Sequence, residues 1–237
     1  KPMDELFAYP PRFYVKNPTF DNFRRLFEVS SDTAISAGRY LFNTFVNTVV
    51  IMFLNVWISV CVGVVLSKKT FRGKDALLQV NNMALMFVQT AVAIPTYFVI
   101  VYTGLRNNFL VGIIPALVVP TGVFLVKQFI DQLPDALIEA ARIDGLSEVR
   151  IFFQMFIPTM KSTYAAAAVI TFMNAWNSYL WPKVIMTDNK AMTMPMLIAN
   201  LITGYVTDYG MLMCGVLFCS IPTMIVFFVL QKQFAEG

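Results

Sequence analysis

The 237-residue chain contains no histidine. A Ser-His-Asp triad, an imidazole base and a histidine metal ligand are therefore all excluded. Charge is scarce as well. Asp, Glu, Lys and Arg make up 14% of the residues, against a hydrophobic fraction of 57%, whereas soluble domains carry roughly 25% charged residues. With a mean hydropathy of +0.65, the chain has too little polar surface to coat a water-facing globule and reads as an all-α, polytopic membrane protein. Cysteine is limited to Cys61, Cys214 and Cys219, each inside an apolar run. They read as small packing residues, not a disulfide or zinc framework. No G-x-x-x-x-G-K-[ST] loop occurs, so the chain has no P-loop of its own for ATP. No catalytic residue and no metal site is assigned from the sequence. The net charge of +4 is what basic cytoplasmic loops produce, and it does not point to nucleic acid.

What is abundant is long charge-free sequence. A crossing helix needs about 20 apolar residues, and five stretches qualify: 41–66, 77–101, 109–126, 162–180 and 211–230. Pro95, Pro115, Pro120 and Pro222 fall inside them, which membrane helices tolerate. Residues 1–40 differ in kind. They are broken by Pro2, Pro10, Pro11 and Pro18, and they place Phe20, Phe23 and Phe27 on one helical face behind Thr19. That pattern predicts a short amphipathic helix at a membrane surface, in an external segment preceding a transmembrane domain over 41–237. The segment lacks the features of a signal peptide.

Short-loop charges set the orientation. Lys68, Lys69, Arg72 and Lys74 put the first loop inside, and Lys127, Arg142, Arg150 and Lys161 put residues 127–161 on the same side. Lys1, Arg12, Lys16, Arg24, Arg25 and Arg39 of the external segment even the total between the two sides. The short loops carry the assignment, because long translocated segments follow the rule weakly.

The inside loop 132–161 is the most informative stretch. Pro134 and Gly145 bracket a helix of about three turns, with Glu139, Ala140 and Ala141 at its middle. Ser147 is placed to cap a second short helix with Glu148 in its first turn, and Pro158 is expected to end it. Small side chains allow close approach to another protein, and Glu139 and Asp144 offer charge to basic or backbone donors there. Without flanking information, an amphipathic connector with a helix-stop glycine explains the same residues.

The flanks favour the docking reading. Glu139-Ala140-Ala141, Asp144-Gly145 and Ile157-Pro158 have the spacing of the EAA motif. With GVFLVKQF at 122–129, AWNSYLWP at 175–182 and MTMP at 192–195, the chain resembles the permease subunits of binding-protein-dependent ABC importers. Within them it looks like the carbohydrate branch and its maltose-G-like half of a permease pair, with a non-sugar branch of the same superfamily as the alternative. The resemblance spans essentially the whole chain. A second proline that this family carries shortly after the first is replaced here by Thr159-Met160-Lys161-Ser162.

The resemblance implies a type I ABC importer transmembrane fold in a bacterial or archaeal plasma membrane. It also implies a second homologous permease, two ATPase subunits that bind ATP and magnesium, and an external sugar-binding protein. Glu139, Ala140, Ala141, Asp144, Gly145 and Pro158 become ATPase-coupling candidates. The family has six spans and a glycine-rich tail, so the whole protein is expected to extend beyond both ends of the five-span sequence.

No charged residue falls within the five spans, which disfavours an ion-coupled carrier with a midplane Asp, Glu or Lys. The EAA-type loop disfavours a scaffold without transport. Asn174, Trp176, Asn177 and Tyr179 are candidates for the translocation path, since aromatic faces beside amides suit sugar rings. Helix–helix hydrogen bonding is the favoured reading for Asn43 and Asn47 and competes for the other amides, and Trp181 suits an interfacial anchor. Gly204, Tyr205, Asp208 and Tyr209 are candidate contacts with the binding protein. Packing of that loop on the partner permease is the competing reading.

Overall fold

The computed structural model describes residues 5, 9–10, 14–32, 36–88, 91–105, 109–117, 120–185, 191–202 and 208–235. Among these residues there is no strand. Helix α1 spans Asp21–Asp32, α2 Ala37–Lys68, α3 Lys74–Met86 and α4 Ala93–Tyr102. Two 3₁₀ turns, Phe109–Gly112 and Ile114–Leu117, lead to α5, Pro120–Asp131. Helix α6 is Asp135–Ile143 and α7 is Glu148–Ile151. A π-helical turn over Phe152–Phe156 and the short α8, Ile157–Thr159, follow. Helix α9 is Lys161–Trp176, α10 Leu180–Ile185, α11 Met194–Ile202 and α12 Tyr209–Ala235.

Three of these stretches, Ala37–Lys68, Leu110–Asp131 and Tyr209–Val229, are long and apolar enough to cross a membrane. The charge-free stretch 77–101 is not one helix. Phe87 turns extended after α3, and Pro95 sits in the first turn of α4, where its missing N–H costs nothing. Gln89 and Thr90 lie outside the described residues. The stretch 109–126 begins in the two 3₁₀ turns, Val118 and Val119 lie outside the described residues, and the α-helix starts on Pro120 and runs on to Asp131. Residues 162–180 are helical only to Trp176, after which the Asn177 Nδ2 donates to Met173 O at 2.8 Å.

Helix α2 is the axis of the fold, and among Tyr40, Ile51, Val60 and Val64 its buried side carries a run of polar and small residues: Asn43, Thr44, Asn47, Asn55, Ser59 and Gly63. Without a hydrophobic drive between helices in lipid, such faces bring backbones close and hydrogen-bond across the contact. A Cβ on Gly63 would lie 2.4 Å from Val126 Cγ1, so no larger residue fits between α2 and α5. Asn55 is fully buried; its Nδ2 donates to Leu117 O at 3.2 Å, and its Oδ1 accepts from Thr171 Oγ1 at 3.2 Å. One amide thus ties α2 to the turn before α5 and to α9. Asn43 Nδ2 donates to Met192 O at 3.0 Å, and Thr44 Oγ1 accepts from Met194 N at 2.8 Å.

Helix α1 is amphipathic as its sequence predicts, but its apolar face meets protein. Leu26 is buried, and Phe23 and Phe27 each stand edge-on to Phe218 of α12, with ring centroids 5.8 Å apart. The Arg25 guanidinium meets Asp208 at 2.6 Å. The expected surface-lying face is therefore largely taken up by the start of the last helix, with Phe20 left exposed.

Candidate coupling site

The loop between α5 and α9 is built from local signals. Pro134 stands in extended geometry just before α6. Asp135 occupies the first turn and Arg142 the last, each at the end of the helix dipole that favours its charge. The helix closes with Gly145 N–H donating to Arg142 O at 3.0 Å and Leu146 N–H to Ala141 O at 3.0 Å. This is a Schellman ending, and it needs a left-handed residue at Gly145, whose φ is +80°. Ser147 then caps α7, its Oγ accepting from Arg150 N.

The two faces of α6 differ. Ile138 and Ala141 are buried in a cluster with Val60, Val64, Val126, Ile130, Ile151, Phe156 and Met160. Ala136, Glu139, Ala140 and Ile143 point away from it, Ile143 at 86% exposure. The motif is thus divided: Glu139 and Ala140 face outward, while Ala141 seats the helix on the membrane helices. Asp144 and Gly145 are exposed.

Pro158 does not end a helix. The backbone passes from α7 through the π turn into α8, and that wider turn lies directly ahead of a ring that would crowd a regular helix. The Thr159 hydroxyl donates to Met155 O. Trp57 packs edge-on to Phe152 with ring centroids 6.0 Å apart, so its ring belongs to this corner.

Ion pairs, whose importance sequence reasoning missed, brace the loop. Lys68 Nζ lies 2.7 Å from Asp135 Oδ1 and donates to Leu133 O at 2.7 Å. Lys69 Nζ lies 2.8 Å from Glu148 Oε2, and Arg142 Nε lies 2.9 Å from Glu148 Oε1. Hydrogen bonds from Lys69 and then Arg142 hold the Glu148 carboxyl below its ordinary pKa. In the sequence the two lysines served only as orientation charges. Their place at the end of a long helix was the available signal.

The other candidates do not assemble into one site. Trp176 is buried, stacked on Phe172 at 5.5 Å, with Nε1 donating to Cys219 O at 2.8 Å. Asn174 and Tyr179 are exposed, and Asn177 ends α9. Asp208 accepts from Met211 N at 3.1 Å and pairs with Arg25, while Tyr209 is exposed. Gly204 and Tyr205 lie outside the described residues, as does the Trp181 side chain. Among the described residues no cluster of His, Cys, Asp or Glu could hold a metal.

Known proteins place this geometry. The lactose transport system permease protein LacG of Rhizobium radiobacter is 36% identical over 70% of this chain and 62% of its own length. The arabinooligosaccharides transport system permease protein AraQ of Halalkalibacterium halodurans is 32% identical over 92% of this chain and 77% of its own. The crystal structure of a bacterial ABC transporter involved in the import of the acidic polysaccharide alginate superposes with a TM-score of 0.76 at 20% identity, covering 91% of this chain and 79% of that one. The fold is that of an ABC importer permease. Residues 33–236 match the family described as binding-protein-dependent transport system inner membrane component, and the chain belongs to that multi-pass inner-membrane family.

Proposed function

We propose that this chain is one of two permease subunits in an ATP-driven importer of a sugar or oligosaccharide. It forms half of the translocation path and contributes no enzymatic step. ATP and magnesium are bound by two separate ATPase subunits, and an external binding protein delivers the substrate. The observation that carries the reading is the two-sided α6: Ile138 and Ala141 anchor it to the membrane helices, while Glu139, Ala140 and Ile143 are presented outward. A small, partly apolar face with one carboxylate fits a groove on a soluble partner, and its anchoring makes partner movement felt by the spans. The sugar class is supported by the lactose and arabinooligosaccharide permeases among its relatives. One chain supplies one such helix and an ATPase dimer offers two grooves, so a second permease completes the assembly. Affinity purification of this chain from its native membrane tests the reading. A nucleotide-binding subunit and a second permease should come down together, and their absence sinks it.

A further inference from the structure

Three consecutive residues at the end of α2 reach three different segments in chain order. Ser67 Oγ donates to Asp131 Oδ1, the last residue of α5, at 2.5 Å. Lys68 bonds Leu133 O and Asp135, spanning the connection into α6. Lys69 pairs with Glu148, the first residue of α7. Glu148 in turn holds Arg142 at the far end of α6, so α6 is gripped at both ends.

We propose that Ser67, Lys68 and Lys69 are positioning residues that make the inner end of α2 move with the loop 132–161 as one body. This rests on the loop being the ATPase-coupling element. Exposed ion pairs add little to stability, and Lys69, Asp135 and Glu148 are 45%, 77% and 53% exposed. Lys68 differs: its side chain is only 10% exposed, which confines the ammonium to the corner between α2, α5 and α6. The apolar cluster beneath, with Val60 and Val64 against Ile138 and Ala141, resists separation but is non-directional. The charged contacts supply what it lacks, a fixed angle between the end of α2 and both loop helices.

The test uses the reconstituted complex in a background without native cysteines, spin-labelled through Val65→Cys and Val149→Cys, which replace exposed residues of α2 and α7. ATP with magnesium and vanadate is the probe. In the parent, the label-to-label distance should stay single and narrow through the cycle. In Lys68→Met and Lys69→Met it should broaden on adding nucleotide, while ATPase subunits still co-purify. Stimulation of ATP hydrolysis by the binding protein should fall about five-fold or more, the lower range of measured coupling. Lys68→Arg and Lys69→Arg should restore both. Unchanged distances and stimulation in the Met variants overturn the proposal. If the Met variants fail to assemble, Asp135→Asn and Glu148→Gln carry the same expectations. Failure of these near-isosteric variants to assemble also overturns it, since the pairs would then hold the fold. A parent that binds no ATPase overturns the functional reading instead.

Discussion

The indole N–H of Trp176 donates to the carbonyl of Cys219 at 2.8 Å, three residues before Pro222. Pro222 has no N–H for the Phe218 carbonyl, so α12 lacks one of its own hydrogen bonds in the turn that contains Cys219. Trp176, stacked on Phe172, therefore fixes α9 to the turn where α12 is least able to hold its own shape. An aromatic residue among amides suggested a sugar contact; its position assigns it to packing. Trp176→Phe keeps the stacking and loses the hydrogen bond, and should lower stability by about 1 kcal/mol. Trp176→Ala should cost about 3–5 kcal/mol. Thermal melting of the detergent-solubilised protein measures both, and equal melting temperatures for the two variants would contradict this assignment.

At Gly145 an added Cβ meets nothing within 4 Å, so any penalty comes from the backbone alone. Gly145→Val should cost about 1–2 kcal/mol by disfavouring the left-handed conformation. Gly145→Asn should cost less, because Asn is the next-best residue at such a position. Membrane insertion should survive both substitutions. ATPase co-purification and substrate uptake should fall in the order Asn, then Val.

Glu139 is exposed and makes no bracing ion pair in the described structure. Glu139→Lys should leave melting and insertion unchanged and weaken ATPase association. Normal association together with normal uptake would make the loop a connector.

The pH response of the brace follows from Glu148. Its folded-state pKa lies below the ordinary value because Lys69 and Arg142 donate to the carboxylate. A depressed acid contributes stability that is fully present above its unfolded pKa, about 4.3, and that disappears as pH falls through the lower folded value. Hydrogen exchange at residues 146–151 should therefore be constant from neutral pH to about 4.5 once corrected for intrinsic rates, and then accelerate. Glu148→Gln should be loose at every pH and lose that step.

Gly63 provides a packing test. Gly63→Ala should cost about 1–3 kcal/mol through overpacking against Val126. Val126→Ala in the same chain should relieve part of the loss, a coupling that melting of the single and double variants measures directly.

The loop was legible in sequence because its signals are local. Pro134, Gly145 and Ser147 act on backbone within a few residues of themselves, and each does so here. The division of 77–101 was hidden because hydropathy reports burial in lipid and is blind to helix continuity; only Pro95 hinted at it. Pro158 misled for a related reason, since a π turn upstream makes room for a proline that a regular helix would not accept. The bracing contacts were invisible because Lys69 and Glu148 are 79 positions apart in sequence. The covered face of α1 was invisible too: an amphipathic pattern states that something apolar lies against it, and lipid and Phe218 are equally apolar.

Helix α2 has the proportions of a lever. Its 32 residues span about 48 Å, so a tilt of about 5° pivoting near Lys68 sweeps the opposite end through about 4 Å. At that opposite end Asn43 and Thr44 hold Met192 and Met194 by hydrogen bonds. A rotation too small to break any contact around Lys68 would thus be magnified into a displacement wider than a water molecule at the other end of the helix.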